Sequence, residues 1–208
     1  MTDKLQSHFF LGPHAPLSTL TGAGLLILAT TRLAHAIICA GGILWVFIFT
    51  TLVFYAAKKI MPKQGKIIIL LFLTSFICSV YILLAGFINP LLISGTWFFL
   101  LLIPPYCAGS GFFQGLEKEE VSVIVRAAGL DALGISLLVI AVSLIREPLG
   151  MGSLSFPGGI WGVHEIFSAA DNGGFFPVKI LSVSAGGFII LGFGITIFRR
   201  LRGEGDKA

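Results

Sequence analysis

Two residues in this chain could do chemistry inside an apolar setting, Cys107 and Asp131. Cys107 lies in Pro104-Pro105-Tyr106-Cys107-Ala108-Gly109-Ser110-Gly111, a helix-breaking pair followed by a thiol and small residues. The flanks, residues 97–103 and Phe112-Phe113, are apolar, so the break falls within a lipid-soluble stretch. Lipid cannot hydrogen-bond the backbone groups that such a break releases, and it persists only where protein or a cavity covers it. A soft ligand atom beside a covered break reads as a site, although a lone cysteine also serves as a small buried hydrophobe. The second reading is the better one for Cys39 and Cys78, which stand in uninterrupted apolar runs. Asp131 falls inside an apolar stretch, where an acid is a functional suspect by default. An ion path is one role for it, and pairing with Arg126 or a neighbouring helix is another.

Other polar residues have blander readings. Arg32 and His35 follow the first apolar segment; they could line the polar face its break opens, but fit better at the outer interface, with their charged or polar ends reaching water. Arg146-Glu147 ends a span at the outer face. His164-Glu165 is a poor metal pair, because adjacent side chains point apart.

The elements that must position these residues are apolar helices. Hydrophobic residues make up 56% of the 208 and charged residues 12%, which places the chain among polytopic membrane proteins. Apolar segments run over about residues 16–31, 35–57, 67–89, 95–113, 122–145 and 178–198 of a single membrane domain. The first is interrupted by Thr21-Gly22-Ala23-Gly24 and the fourth by the proline pair. Interruptions at matching places in two groups of three suggest two inverted three-helix repeats whose breaks meet near the midplane. The expected fold is therefore all-α, with six transmembrane segments, broken first and fourth segments, and an outer loop over 146–177. The glycines suit close helix packing in lipid, and three cysteines suit free thiols or metal ligation better than a disulfide framework.

Lysines and arginines set the expected orientation. Lys58, Lys59, Lys63 and Lys66 lie in one loop, and Arg199, Arg200 and Arg202 follow the last segment. Threading six spans with these inside also places Lys4, Lys118 and Arg126 inside, leaving Arg32, Arg146 and Lys179 outside. Both termini are then cytoplasmic, and the start shows no removable signal sequence.

The run from Asp131 through Arg146-Glu147-Pro148-Leu149-Gly150-Met151-Gly152-Ser153 resembles the fifth span and following loop of the Rnf/Nqr family of integral membrane subunits. Ala29-Thr30-Thr31-Arg32-Leu33, Lys59-Ile60-Met61-Pro62 and Asp171-Asn172-Gly173-Gly174-Phe175-Phe176-Pro177 agree in order and spacing. The similarity covers about residues 20–202. It is to the six-span type of subunit found in the Rnf electron-transport complex and in the sodium-translocating NADH:quinone reductase (Na⁺-NQR).

That resemblance implies a multi-pass protein of a bacterial or archaeal cytoplasmic (inner) membrane, paired with a homologous inverted six-span subunit and with flavin- or iron–sulfur-carrying partners. It implies a [2Fe–2S] cluster shared at the midplane, two cysteines coming from each of the paired chains, and electron passage coupled to Na⁺ or H⁺ movement. At Arg146-Glu147 it implies a structural turn and subunit contact. Cys107 matches the second cysteine and Gly111 the glycine beyond it. Gly24 occupies the expected position of the first cysteine, with no thiol within a helical turn of it. Tyr106 replaces an asparagine, and Ala34 and Gln114 replace acidic residues. The chain is thus expected to be a non-catalytic-alone subunit of a redox-driven ion-pumping oxidoreductase (NADH:ferredoxin or NADH:quinone). The alternatives are a divergent cluster-less structural or ion-conducting subunit and a small inverted-repeat transporter.

Overall fold

The computed structural model describes residues 31–57, 65–109, 121–158, 162–168, 178–183, 186–190, 192–193 and 196. The first broken segment with Gly24, Gly111, Gln114, most of the basic loop, residues 171–177 and the arginines of the tail lie outside the described residues. The elements are α1 (Leu33–Ala57), α2 (Lys66–Ile88), α3 (Pro90–Leu100), α4 (Ile103–Gly109), α5 (Val121–Met151), β1 (Ser153–Pro157), β2 (Val163–Ser168) and α6 (Lys179–Ser182). The chain is a helical, membrane-embedded protein. Among the described residues, α1, α2, the α3–α4 unit and α5 are long and apolar enough to cross a bilayer.

In these spans every backbone group must be satisfied within the segment, and an apolar run with no charge to favour another arrangement coils into helix. The packing is inverted relative to hydropathy. On α2, Phe72 and Phe87 are 73% and 84% exposed, while Thr74 is fully buried. That pattern suits a lipid solvent, which accepts apolar side chains and leaves hydroxyls to bond the helix; Thr74 donates to the Leu71 carbonyl at 2.9 Å. The core is a single cluster among α1, α2, the α3–α4 unit and α5, including Ile43, Phe47, Ile77, Leu100, Ile103 and Ile135.

Helices α1 and α5 run antiparallel and make the most extensive helix pair. One end of the bundle gathers the start of α1, the α2–α3 turn, the end of α5 and the β-hairpin. The other gathers Ala57 of α1 and Lys66 of α2, whose ammonium lies 4.9 Å from the centre of the Phe54 ring. The α2–α3 turn is one residue, Asn89. Its side chain accepts from the Leu92 amide at 2.9 Å as the cap of α3, and Pro90 takes the first helical position, where a missing N–H costs nothing.

Three boundaries differ from the sequence reading. The fourth segment begins at Pro90 rather than near 95, and its break falls at Leu101-Leu102, two residues before the proline pair. Prolines end a helix through the residues that precede them yet fit a new first turn, so Pro104 and Pro105 sit in the opening turn of α4. The fifth span continues to Met151, past the expected end at 145, because Arg146 and Glu147 find buried partners and do not force the chain into water. The expected sixth segment opens with α6, which stops when Val183 turns extended (φ −80°, ψ 157°).

The outer loop expected over 146–177 thus starts later and holds a hairpin. Strands β1 and β2 pair antiparallel, Ser153 opposite Ser168 and Pro157 opposite Val163, with a bulge that places the extra residue Ile166 on β2. Asn89 Nδ2 donates to the Gly162 carbonyl at 2.8 Å, tying the hairpin's turn to the α2–α3 corner. Gly162 has φ +83°, which a side chain would strain.

Candidate functional site

The break in the α3–α4 unit follows from elementary bookkeeping of donors. Pro104 and Pro105 have no N–H, so the carbonyls four residues earlier, Leu100 and Leu101, lose their helical partners. The chain tightens there, with the Leu102 amide donating to Phe99 (3.2 Å), and resumes when Tyr106 donates to Leu102 (3.3 Å). The released Leu100 carbonyl accepts from Cys78 Sγ of α2 at 3.2 Å. A thiol from the neighbouring span therefore covers the break.

Cys107 follows in α4, fully buried. Cys39 of α1 and Cys78 of α2 belong to the same buried cluster as Cys107. The three thiols lie 39 and 29 residues apart in the chain, and none is in a disulfide. Tyr106 packs on Phe47 of α1, ring centres 6.0 Å apart. Asp131 is half-buried in α5.

A glycine pair lets the helices close on this point. Tyr81 of α2 donates its hydroxyl to the Ile38 carbonyl of α1 at 2.7 Å, and a Cβ on Gly41 would meet that hydroxyl at 2.8 Å. A Cβ on Gly42 would meet Ile103 and Leu100 of the kink at 3.0 Å. On the opposite side Ser136 of α5 donates to the Ala40 carbonyl at 3.1 Å. Sequence reasoning assigned these glycines only to general helix packing, and it missed Tyr81 and Ser136 altogether. Their signal, a hydroxyl in an apolar run, is shared with residues that merely bond their own helix.

Arg146 and Glu147 form a second polar centre at the hairpin end, both essentially inaccessible. Arg146 donates from Nε to the Leu181 carbonyl (2.9 Å) and from a terminal nitrogen to the Ser182 carbonyl (3.0 Å), satisfying the groups freed where α6 stops. Gly150 of α5 allows this approach, since a Cβ there would lie 2.8 Å from the Ser182 amide nitrogen. Glu147 Oε2 accepts from the Leu33 amide at 2.6 Å, and Ser155 Oγ of β1 accepts from Ala34 at 3.4 Å. Both fill places at the N-terminus of α1, where a carboxylate is favoured by the helix dipole. The turn expected at this pair is replaced by continuous helix, because both side chains find partners within the chain. Arg32 and Glu165 approach only to 3.9 Å in partly exposed positions, and His164 is exposed on β2. His35 is half-buried beside Phe99.

Among the described residues no three His, Cys, Asp or Glu side chains are grouped to hold a metal ion. An iron–sulfur cluster with two thiolates from this chain would need a partner for Cys107. Cys78, in the same buried cluster, is engaged with the Leu100 carbonyl. The described donors fit such a cluster only at Cys107, so no electron-transfer step follows from this geometry. No family model and no curated protein matches this chain.

Proposed function

We propose that this chain is a membrane subunit of an ion-translocating NADH:ferredoxin or NADH:quinone oxidoreductase. It would help carry electrons across the bilayer at a midplane iron–sulfur site shared with a homologous inverted subunit. The observation that carries the reading is Cys107, fully buried in the short helix that follows a covered helix break. The ordered series of motifs from residue 20 to 202 supports it. In this reading the six-span inverted repeat, with both termini in the cytoplasm, sets Cys107 against the homologous partner. The chain's own work is positional: α1, α2 and α5 exclude water from Cys107. Asp131 is assigned to the ion path.

A second reading has a specific observation behind it. Cys78 serves the backbone of the kink, and Gly24 stands where a ligating thiol is expected, as in a cluster-less structural or ion-conducting subunit. Iron analysis and EPR of the purified complex, wild type against Cys107→Ser, separate the two. Iron and an EPR signal that fall in Cys107→Ser support electron carriage. An iron-free, EPR-silent wild type with undiminished activity in Cys107→Ser rejects it.

A further inference from the structure

We infer that Glu147 and Ser143, at the hairpin end of α5, form a binding site for a monovalent hard cation, for which Na⁺ is the probe. Glu147 is fully buried; its Oε2 accepts from Leu33, while Oε1 has no hydrogen-bond partner among the described residues. Ser143 is also fully buried, and its Oγ likewise lacks a partner among the described residues. The two are four residues apart on one continuous helix, hence on the same face and one turn from each other. Buried polar atoms are almost always bonded, and a bare carboxylate oxygen in a low-dielectric interior is the costliest kind to leave unmet. A ligand shared by two such oxygens, one turn apart, meets both needs at once.

The ligand's chemistry follows from the donors. Both are oxygens, a carboxylate and a hydroxyl, which suit a hard cation and not a soft metal. One carboxylate, already partly balanced by the N-terminus of α1, leaves less than a full negative charge, too little for a divalent ion. The neighbouring cation, Arg146, directs Nε and a terminal nitrogen to the Leu181 and Ser182 carbonyls. The site does not depend on electron carriage. Only its use for the coupling ion would rest on the proposed redox function.

The test is thermal stability of the full chain in detergent, without electron donors, in NaCl against choline chloride at equal ionic strength. Wild type is expected to show a saturable stabilisation by Na⁺ over choline. Ser143→Ala removes an oxygen with no other partner among the described residues and is expected to weaken the apparent affinity about tenfold. Glu147→Gln keeps an acceptor for Leu33 and is expected to abolish the Na⁺ response. Should Glu147→Gln fail to fold, Ser143→Ala decides. Equal stability in the two salts, a Na⁺ response unchanged in Ser143→Ala, or a response to pH alone would overturn the site, leaving a buried water or a proton on Glu147. None of these results depends on the iron content, so the site and the electron-carrying role can fail separately.

Discussion

The Cys78 thiol donates to the Leu100 carbonyl at 3.2 Å, and Leu100 is the residue whose helical partner Pro104 cannot supply. A sulfur on one span thus completes the backbone of another at the point where its helix changes direction. Cys107 lies seven residues further on, in α4.

Cys78→Val removes the donor and leaves the Leu100 carbonyl bare, while adding about one methyl group of bulk. A loss of about 1–3 kcal/mol in stability is expected. Cys78→Ser, which restores a donor, should recover part of it. Unfolding in detergent measures both, and equal stability of the valine variant and wild type would show that the bond contributes nothing.

Gly41→Ala should cost about 1–3 kcal/mol, because its Cβ would meet the Tyr81 hydroxyl at 2.8 Å. Tyr81→Phe removes the obstructing oxygen, so the double variant should be more stable than the sum of the two single changes predicts. Gly134→Ala on α5 meets nothing within 4 Å and is expected to be neutral or stabilising by up to about 1 kcal/mol. A thermal-shift series over these four proteins tests the close approach directly.

Arg146→Lys retains the charge but not the fork that reaches two carbonyls at once. We expect hydrogen exchange to rise over 178–183 and stability to fall by about 2 kcal/mol. Exchange in that segment equal to wild type would assign the anchoring of α6 to other contacts, such as the Val178 amide on the Leu149 carbonyl at 2.9 Å.

Asn89→Asp separates two jobs of one side chain. The carboxylate still caps α3 through Leu92, but it can no longer donate to Gly162. Exchange should quicken in the β1–β2 hairpin with α3 unchanged, whereas Asn89→Ala should loosen both at a cost of about 1–2 kcal/mol.

Within the proposed function, Asp131→Asn should alter the Na⁺ dependence of turnover in the assembled complex. Unchanged dependence removes Asp131 from the ion path.

Much of the fold was legible in the residues alone. Long uncharged runs specify membrane helices because lipid offers the backbone no other partner, and the proline pair announces a break because it removes two donors. The break lies two residues earlier than the prolines themselves, since a proline disturbs the turn before it and fits the turn it begins. The rule that charge seeks water ends the fifth span at Arg146; the Leu181 and Ser182 carbonyls and the Leu33 amide supply what water would, and the helix runs on.

The candidate site was legible only in part. Cys107 and Asp131 stand out by type and setting, but nothing in a uniformly apolar stretch tells which face Cys39, Cys78 or Tyr81 occupies. Hydropathy carries no phase when both faces are greasy. Composition and order determined that this chain crosses a membrane and where its helices falter. The packing of α1 against α2, α4 and α5 decided which thiol meets which carbonyl and which charged side chain is buried. Those choices depend on hydrogen-bond partners that lie dozens of residues away and become neighbours only when the helices close.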